Sequence, residues 1–351
     1  MTYQRLDILK FTLSLFVVLF HATLGVYSQL EFIFFNGFFR VAVPLFFMMS
    51  GFMFYKMSDA KRRKYTKSLM GTYMLYFVMY VPVGLAMHQG TEASYLSGSG
   101  FINFFNLIIN GTGYHLWFLP ALLFSLIILN KSLKRSNLSK LIVVSFFLFL
   151  IGNIESNYDL IISNFPFLKK GINLYFSVFI TTRNGLFLGL FFTSIGAMIA
   201  KYEKDFATLE VTPLMPVSII LVGMESWYKY NGQMGLDYNF LISSIPLSLS
   251  IFTHAISKHD KILTNSQSLL IRKMSSAIYY DHLFVLFFCS QVIQFENKYI
   301  TAAILVMITI LMSYLKYQIN RKGEYNEKNV NCRRRKENQP GLKRLLCEGG
   351  L

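Results

Sequence analysis

Lys10 and His21 stand eleven residues apart in an apolar stretch. On a helix that spacing closes to within about 20° of whole turns and advances about 16 Å. The two residues therefore share one face, with Asp7 and Ser14 within roughly 40° of the same line. An ionisable group inside an apolar segment is costly, which makes it a candidate for function. A histidine held away from bulk water can act as a general base or as a transient carrier of a transferred group. Asp7 and Lys10, at the end of the stretch, also read as interfacial anchors, whereas His21 lies much deeper.

A second constellation is N-G-F-F-R-V-A-V-P-L-F-F-M-M-S-G-F, residues 36–52. Helical spacing puts Arg40, Pro44, Phe47 and Gly51 on one face. Proline frees a backbone carbonyl and glycine permits close helix approach, so this face is expected inside a bundle. An arginine buried there suits an anion or a negative charge that develops during reaction. His88, His254 and His259 read as interfacial, and His115 as a cap on the outer end of its segment. HExxH, CxxC, Walker A and GxSxG are absent, so no metal is expected and the hydrolase, redox and nucleotidase readings have no footing.

These residues must be held by apolar helices. The chain has 351 residues, 54% hydrophobic and only 15% charged, against about 25% charged in soluble proteins. Apolar blocks of about 17–22 residues recur, which is bilayer-spanning length. Disorder, collagen and a soluble enzyme are excluded, and an all-α polytopic membrane bundle is expected. Ten spans are expected at 7–28, 36–55, 68–88, 115–131, 140–154, 182–200, 213–229, 238–256, 275–294 and 299–319. The stretch 101–109 is apolar but short, and reads as re-entrant or interfacial.

The net charge of +16 is informative through its location. Loop 56–67 carries six Lys/Arg, 131–140 four, 201–204 two, 257–274 four and the segment from Lys316 ten. The alternate loops are nearly bare: 89–114 and 230–237 carry none, and 155–181 only Lys169 and Lys170. The positive-inside rule then places both termini in the cytoplasm of a multi-pass plasma-membrane protein. The charge reports topology, so nucleic acid is not an expected partner. Residues 1–320 form the membrane domain, and 321–351 read as a disordered basic cytoplasmic tail. The opening stretch has no A-x-A site, so no cleavable leader is expected. Cys289, Cys332 and Cys347 are expected to be reduced.

The Lys10-to-His21 spacing and the block Arg40 to Phe52 resemble the acyltransferase-3 family of integral membrane acyltransferases that modify cell-surface carbohydrates. Three further blocks are similar, in consistent order: Tyr114 to Pro120, Arg183 to Leu186 with Gly196, and the S-x-x-I-Y-x-x-H run from Ser275 to His282. The resemblance implies that Lys10 and His21 serve acyl-CoA use and catalysis, and that Arg40 is the arginine of the second helix. Glu225 and Asp237 are a looser match to acidic positions of Gram-positive members, which implies that Glu225 helps to bind substrate. No appended esterase-like or racemase domain is expected.

The mechanism this implies uses acyl-CoA, with acetyl-CoA as the expected donor. Its phosphates would sit against Lys10 and loop 56–67, and its thioester would reach His21. The acceptor would be a hydroxyl of a surface glycan or lipid-linked sugar, so the expected outcome is O-acetylation of an envelope polysaccharide. Arg40 would face the oxyanion, and Arg183 would hold the acceptor or serve as an outer anchor. Asp281 and His282 would pair structurally or flank the CoA site. The rival from another class is a transporter of a small polar solute such as serine, or of a finished glycan. The lack of a strong internal repeat weighs against it.

Overall fold

The computed structural model describes residues 3–23, 27–87, 106, 108–109, 115–211, 213–232, 238–257, 261–293 and 297–338, with side chains up to 322 except at 84–87 and 290. Tyr114, His88, His259, Asp237 and most of 101–109 lie outside them. The architecture is all-helical, with no strand among the described residues. The helices are α1 (Gln4–Ala22), α2 (Gln29–Lys56), α3 (Asp59–Met87), α4 (Phe118–Lys134), α5 (Leu138–Gly152), α6 (Tyr158–Asn164), α7 (Lys169–Val178), α8 (Gly185–Lys201), α9 (Glu203–Thr208), α10 (Leu214–Gly232), α11 (Ser244–Ser257), α12 (Asn265–Ser290) and α13 (Lys298–Asn338).

Local chemistry starts several of these. Ser28 and Glu31 form a reciprocal capping box at α2, and Thr264 with Gln267 does the same at α12, satisfying orphan N–H groups. Asn184 caps α8 by accepting from Leu186 and Phe187 N–H. Inside α2 a π turn (Ile33–Phe38) and a 3-10 turn (Phe39–Val41) precede Pro44. The ring at Pro44 cannot donate to the Arg40 carbonyl, so the ladder is irregular where Arg40 sits.

By length and composition, Gln29–Lys56 and Lys298–Lys322 are apolar enough to cross a bilayer. The pair Leu138–Gly152 and Glu155–Asn164, bent by 41°, qualifies if it is one span. The other expected spans are helical but differ in length or polarity. Gly185–Lys201 and Ser244–Ser257 are shorter, because non-helical backbone at 179–184 and 238–243 takes the place of helix. Such backbone is tolerated at membrane depth where protein covers it. Large apolar side chains point outward, including Val78, Phe147, Ile220 and Met307. That surface suits lipid and not water.

The tightest packing joins α2 to α8. A Cβ on Gly51 would lie 2.0 Å from the Thr193 carbonyl oxygen, and one on Gly196 would lie 2.0 Å from that of Met48. Both approaches are to backbone, so alanine at either glycine forces the helices apart.

The polar contacts sort the connections into two ends. At one end, Tyr3 donates to Glu203 at 2.7 Å, Lys56 pairs with Glu203 at 2.5 Å, and Lys134 with Asp59 at 3.5 Å. At the other, Glu31 pairs with Lys298 at 2.6 Å, and Lys229 donates to the Phe240 and Ser156 carbonyls at 3.0 and 3.3 Å. The basic loops gather at the first end. Lys316 lies within the expected last span, paired at 2.5 Å with Asp281. The described backbone of α13 is helical to Asn338, past the expected end of the membrane domain at 320. Gly323 is the lone glycine in that stretch and the next proline is Pro340, so nothing breaks the helix earlier.

Candidate functional site

The site is built between α1 and α12. Gln4 accepts from Ile262 and Leu263 N–H at 2.9 Å each; Asp7 accepts from Ser268 Oγ at 2.5 Å and pairs with Arg272 at 3.2 Å. Lys10 Nζ donates to Ser276 Oγ at 2.9 Å, and the His21 ring lies 5.3 Å from that of His282. Partners on both helices advance together, so α1 and α12 run parallel. The polar stripe of α1 thus faces a second polar stripe.

Two cavities open along it. One, of about 280 Å³, is lined by Asp7, Lys10, Ser50, Arg272, Ser275 and Ser276 among apolar side chains. The other, of about 340 Å³, is lined by His21, Arg40, His115, Trp117, Arg183 and Asn239 with further apolar groups. Phe46, Phe118 and Tyr279 line both and form a septum between them. The Phe118 ring stands 6.1 Å from Phe46 and 5.6 Å from Tyr279. Tyr279 is tethered by its hydroxyl, which donates to the His115 carbonyl at 2.6 Å.

Arg40 is aimed by two amides. Its Nε donates to Asn36 Oδ1 at 2.9 Å and its Nη1 to Asn239 Oδ1, while the guanidinium lies 4.9 Å over the Phe20 ring. Asn36 reaches it because both lie on the irregular turns before Pro44. Arg183 lies 5.0 Å over Trp117. Its loop is fastened by buried Glu155, whose Oε2 accepts from Thr181 Oγ1 at 2.8 Å and from Thr182 N–H and Oγ1 at 2.7 Å each. Two guanidinium groups and two imidazoles, those of His21 and His115, therefore share a small, largely apolar space. That arrangement can stabilise negative charge and move a proton in one place.

Of the residues singled out from sequence, His21, Arg40 and Arg183 come together in the larger cavity and Lys10 lines the smaller. Glu225 lines neither. Its oxygens accept from Ile242 N–H at 3.1 Å, Ser243 N–H at 2.8 Å and the Ser243 hydroxyl, and Lys229 Nζ lies 3.6 Å away. It holds the turn after Asn239, one step behind Arg40. His115 is not an outer cap: it is 3% exposed, with its ring 4.8 Å from His282. Asp281 and His282 do not pair. Asp281 turns to Lys316 and Tyr76, and His282 turns inward to His21. Among the described residues no three His, Cys, Asp or Glu side chains could hold a metal ion.

Sequence reasoning missed Arg272, Asn36, Asn239, Trp117 and Glu155. Arg272 read as one of four basic residues in a loop, and nothing in its own segment marks its ion pair with Asp7. Trp117 lay within a family-like block, the one signal that could have found it.

The acyltransferase-domain family pattern matches residues 3–317. An amino-acid racemase of Enterococcus faecalis is 28% identical over 220 residues, 58% of this chain and 29% of the relative. A serine/alanine racemase of Enterococcus gallinarum is 28% identical over 200 residues, 55% of this chain and 28% of the relative. The chain thus spans under a third of the length of these curated relatives. No solved structure matches it. With the family pattern covering nearly its whole length, the chain belongs to the acyltransferase-3 family.

Proposed function

We propose that this enzyme is an O-acetyltransferase that carries an acetyl group from cytoplasmic acetyl-CoA to a hydroxyl of a cell-surface or exported carbohydrate. The observation that carries the reading is the pair of cavities meeting at one aromatic septum. Lys10 and Arg272 line the cavity nearer the basic end and suit the anionic part of the donor; His21, Arg40 and Arg183 line the other and suit the reacting carbonyl. In this reading ten of the helices serve as crossings, with both termini and the basic extension 321–351 on the cytoplasmic side of the plasma membrane.

In this reading His21 removes the proton from the acceptor hydroxyl as its oxygen attacks the thioester carbonyl. The oxyanion forms beside Arg40 and Arg183, fixed donors that need no reorganisation. The C–S bond then breaks, and His21 returns the proton to the leaving thiolate. Atoms and charge balance with no further reactant. The acceptor is a glycan or lipid-linked sugar, held by Arg183.

The test is mass spectrometry of envelope glycans from a deletion strain complemented with wild type or His21→Ala. Loss of an acetyl ester on deletion, restored by wild type alone, is the expected result. A glycan that is unchanged by deletion refutes the acceptor class. Solute flux in proteoliposomes without any acyl donor would instead favour transport.

A further inference from the structure

His282 is fully enclosed, with none of its surface exposed. Its Nδ1 lies 3.1 Å from the Ile278 carbonyl oxygen and 2.9 Å from that of Tyr279. A carbonyl oxygen only accepts, so Nδ1 must carry the proton and Nε2 keeps a bare lone pair. That Nε2 has no hydrogen-bond partner among the described residues, and neither has His21 Nδ1. The two rings stand 5.3 Å apart between centroids, tilted by 37°. A buried acceptor and a buried group able to donate thus lie on neighbouring rings, each left over once every other bond is counted. Buried polar atoms are rarely left so.

We propose that His21 donates from Nδ1 to His282 Nε2, making His282 the positioning residue that sets the tautomer of His21. A small ring rotation or one bridging water closes the contact, as happens when catalytic hydrogen bonds tighten on substrate binding. His21 is thereby held as the Nδ1–H form, and its unprotonated Nε2 is the atom that faces the hydroxyl in the cavity with Arg40 and Arg183. When His21 gains a proton there, the His282 lone pair stabilises the imidazolium, as the orienting member of a catalytic triad does. His115 is the competing donor: its ring lies 4.8 Å from His282 at 70°, and among the described residues its nitrogens have no partner within hydrogen-bond geometry. The proposal rests on reading His21 as the base, and its test includes a readout that needs no turnover.

The full-length protein in lipid nanodiscs, labelled with 15N,13C-histidine, shows which ring nitrogen of His21 is protonated; the His21 signal is the one lost in His21→Gln. Wild type is expected to be Nδ1–H. His282→Phe should move His21 toward Nε2–H, whereas His115→Phe should leave it unchanged. A His21 that is Nε2–H in wild type, or that ignores His282→Phe, overturns the proposal whatever the enzyme acylates. Turnover supplies the second readout. His282→Phe should lower kcat about 10²-fold with acyl-CoA KM near wild type, and should cost nothing further in a His21→Ala background. Additive losses overturn the proposal. His282→Gln offers an amide oxygen near the place of Nε2 and should keep the wild-type tautomer, which covers failure of His282→Phe to insert. A wild type that transfers no acyl group refutes the proposed function and leaves the tautomer measurement to decide the role of His282.

Discussion

Lys10 and His21 share one face of α1 yet open into different cavities, Lys10 beside Arg272 and His21 beside Arg40 and Arg183. The septum of Phe46, Phe118 and Tyr279 stands between. Two residues about 16 Å apart on one stripe can address two ends of one extended donor. The kinetics should then separate. Lys10→Ala is expected to raise the KM for acyl-CoA with kcat near wild type, because it removes binding common to ground and transition states. Lys10→Arg should be mild. His21→Ala should lower kcat by roughly 10²-fold or more. Steady-state rates at matched membrane levels check this; a Lys10→Ala that loses kcat alone contradicts the assignment.

The septum has its own consequence. Phe46 is 8% exposed and packs against Phe118, so Phe46→Ala should join the two cavities and admit water. Truncating a buried phenylalanine costs about 3–5 kcal/mol of stability, which makes Phe46→Leu the companion variant. Acyl-CoA hydrolysis should rise relative to transfer in both, more in the alanine. The measurement is CoA released against acceptor acylated, and an unchanged ratio in well-inserted protein removes the septum from the coupling.

Glu225 is predicted to act through structure, not through substrate. Lys229 is 1% exposed and has Glu225 as its nearby countercharge. Glu225→Gln leaves that ammonium buried without compensation, a change worth about 3–5 kcal/mol. Membrane protein level should fall while the acceptor KM of the remaining enzyme stays near wild type. Adding Lys229→Met should recover much of the stability, since a buried pair is often replaceable by apolar side chains. A raised acceptor KM at normal protein level would put Glu225 in the binding site after all.

Topology can be read with single cysteines in a cysteine-free background. Ser58 and Ser163 are both exposed; Ser58 immediately precedes α3 and its basic cluster, and Ser163 lies near the end of α6 in the lysine-poor stretch 155–181. An impermeant thiol reagent added outside should label Ser163→Cys and spare Ser58→Cys. The reverse pattern inverts the orientation.

The Lys10–His21 stripe was legible in the sequence because helical periodicity belongs to one segment and needs no neighbour. The same holds for the helical class and for the gathering of the basic loops, since apolar run length and loop charge are local properties that respond to the bilayer. The buried face of α2 was legible too, from Pro44 and Gly51. The partners of these residues were not. Arg272 joins Asp7, and Asn239 joins Arg40, only because α1 meets α12 and α2 meets the segment before α11. His115 moves from an expected outer cap to a place beside His282, and Asp281 parts from His282 to meet Lys316. The physical reason is that lipid is as apolar as a leucine side chain. Hydrophobic pattern marks which residues belong in the membrane but carries no signal for which helix face meets which. Close approach at Gly51 and Gly196, and the polar groups that must find partners away from water, decide that in three dimensions.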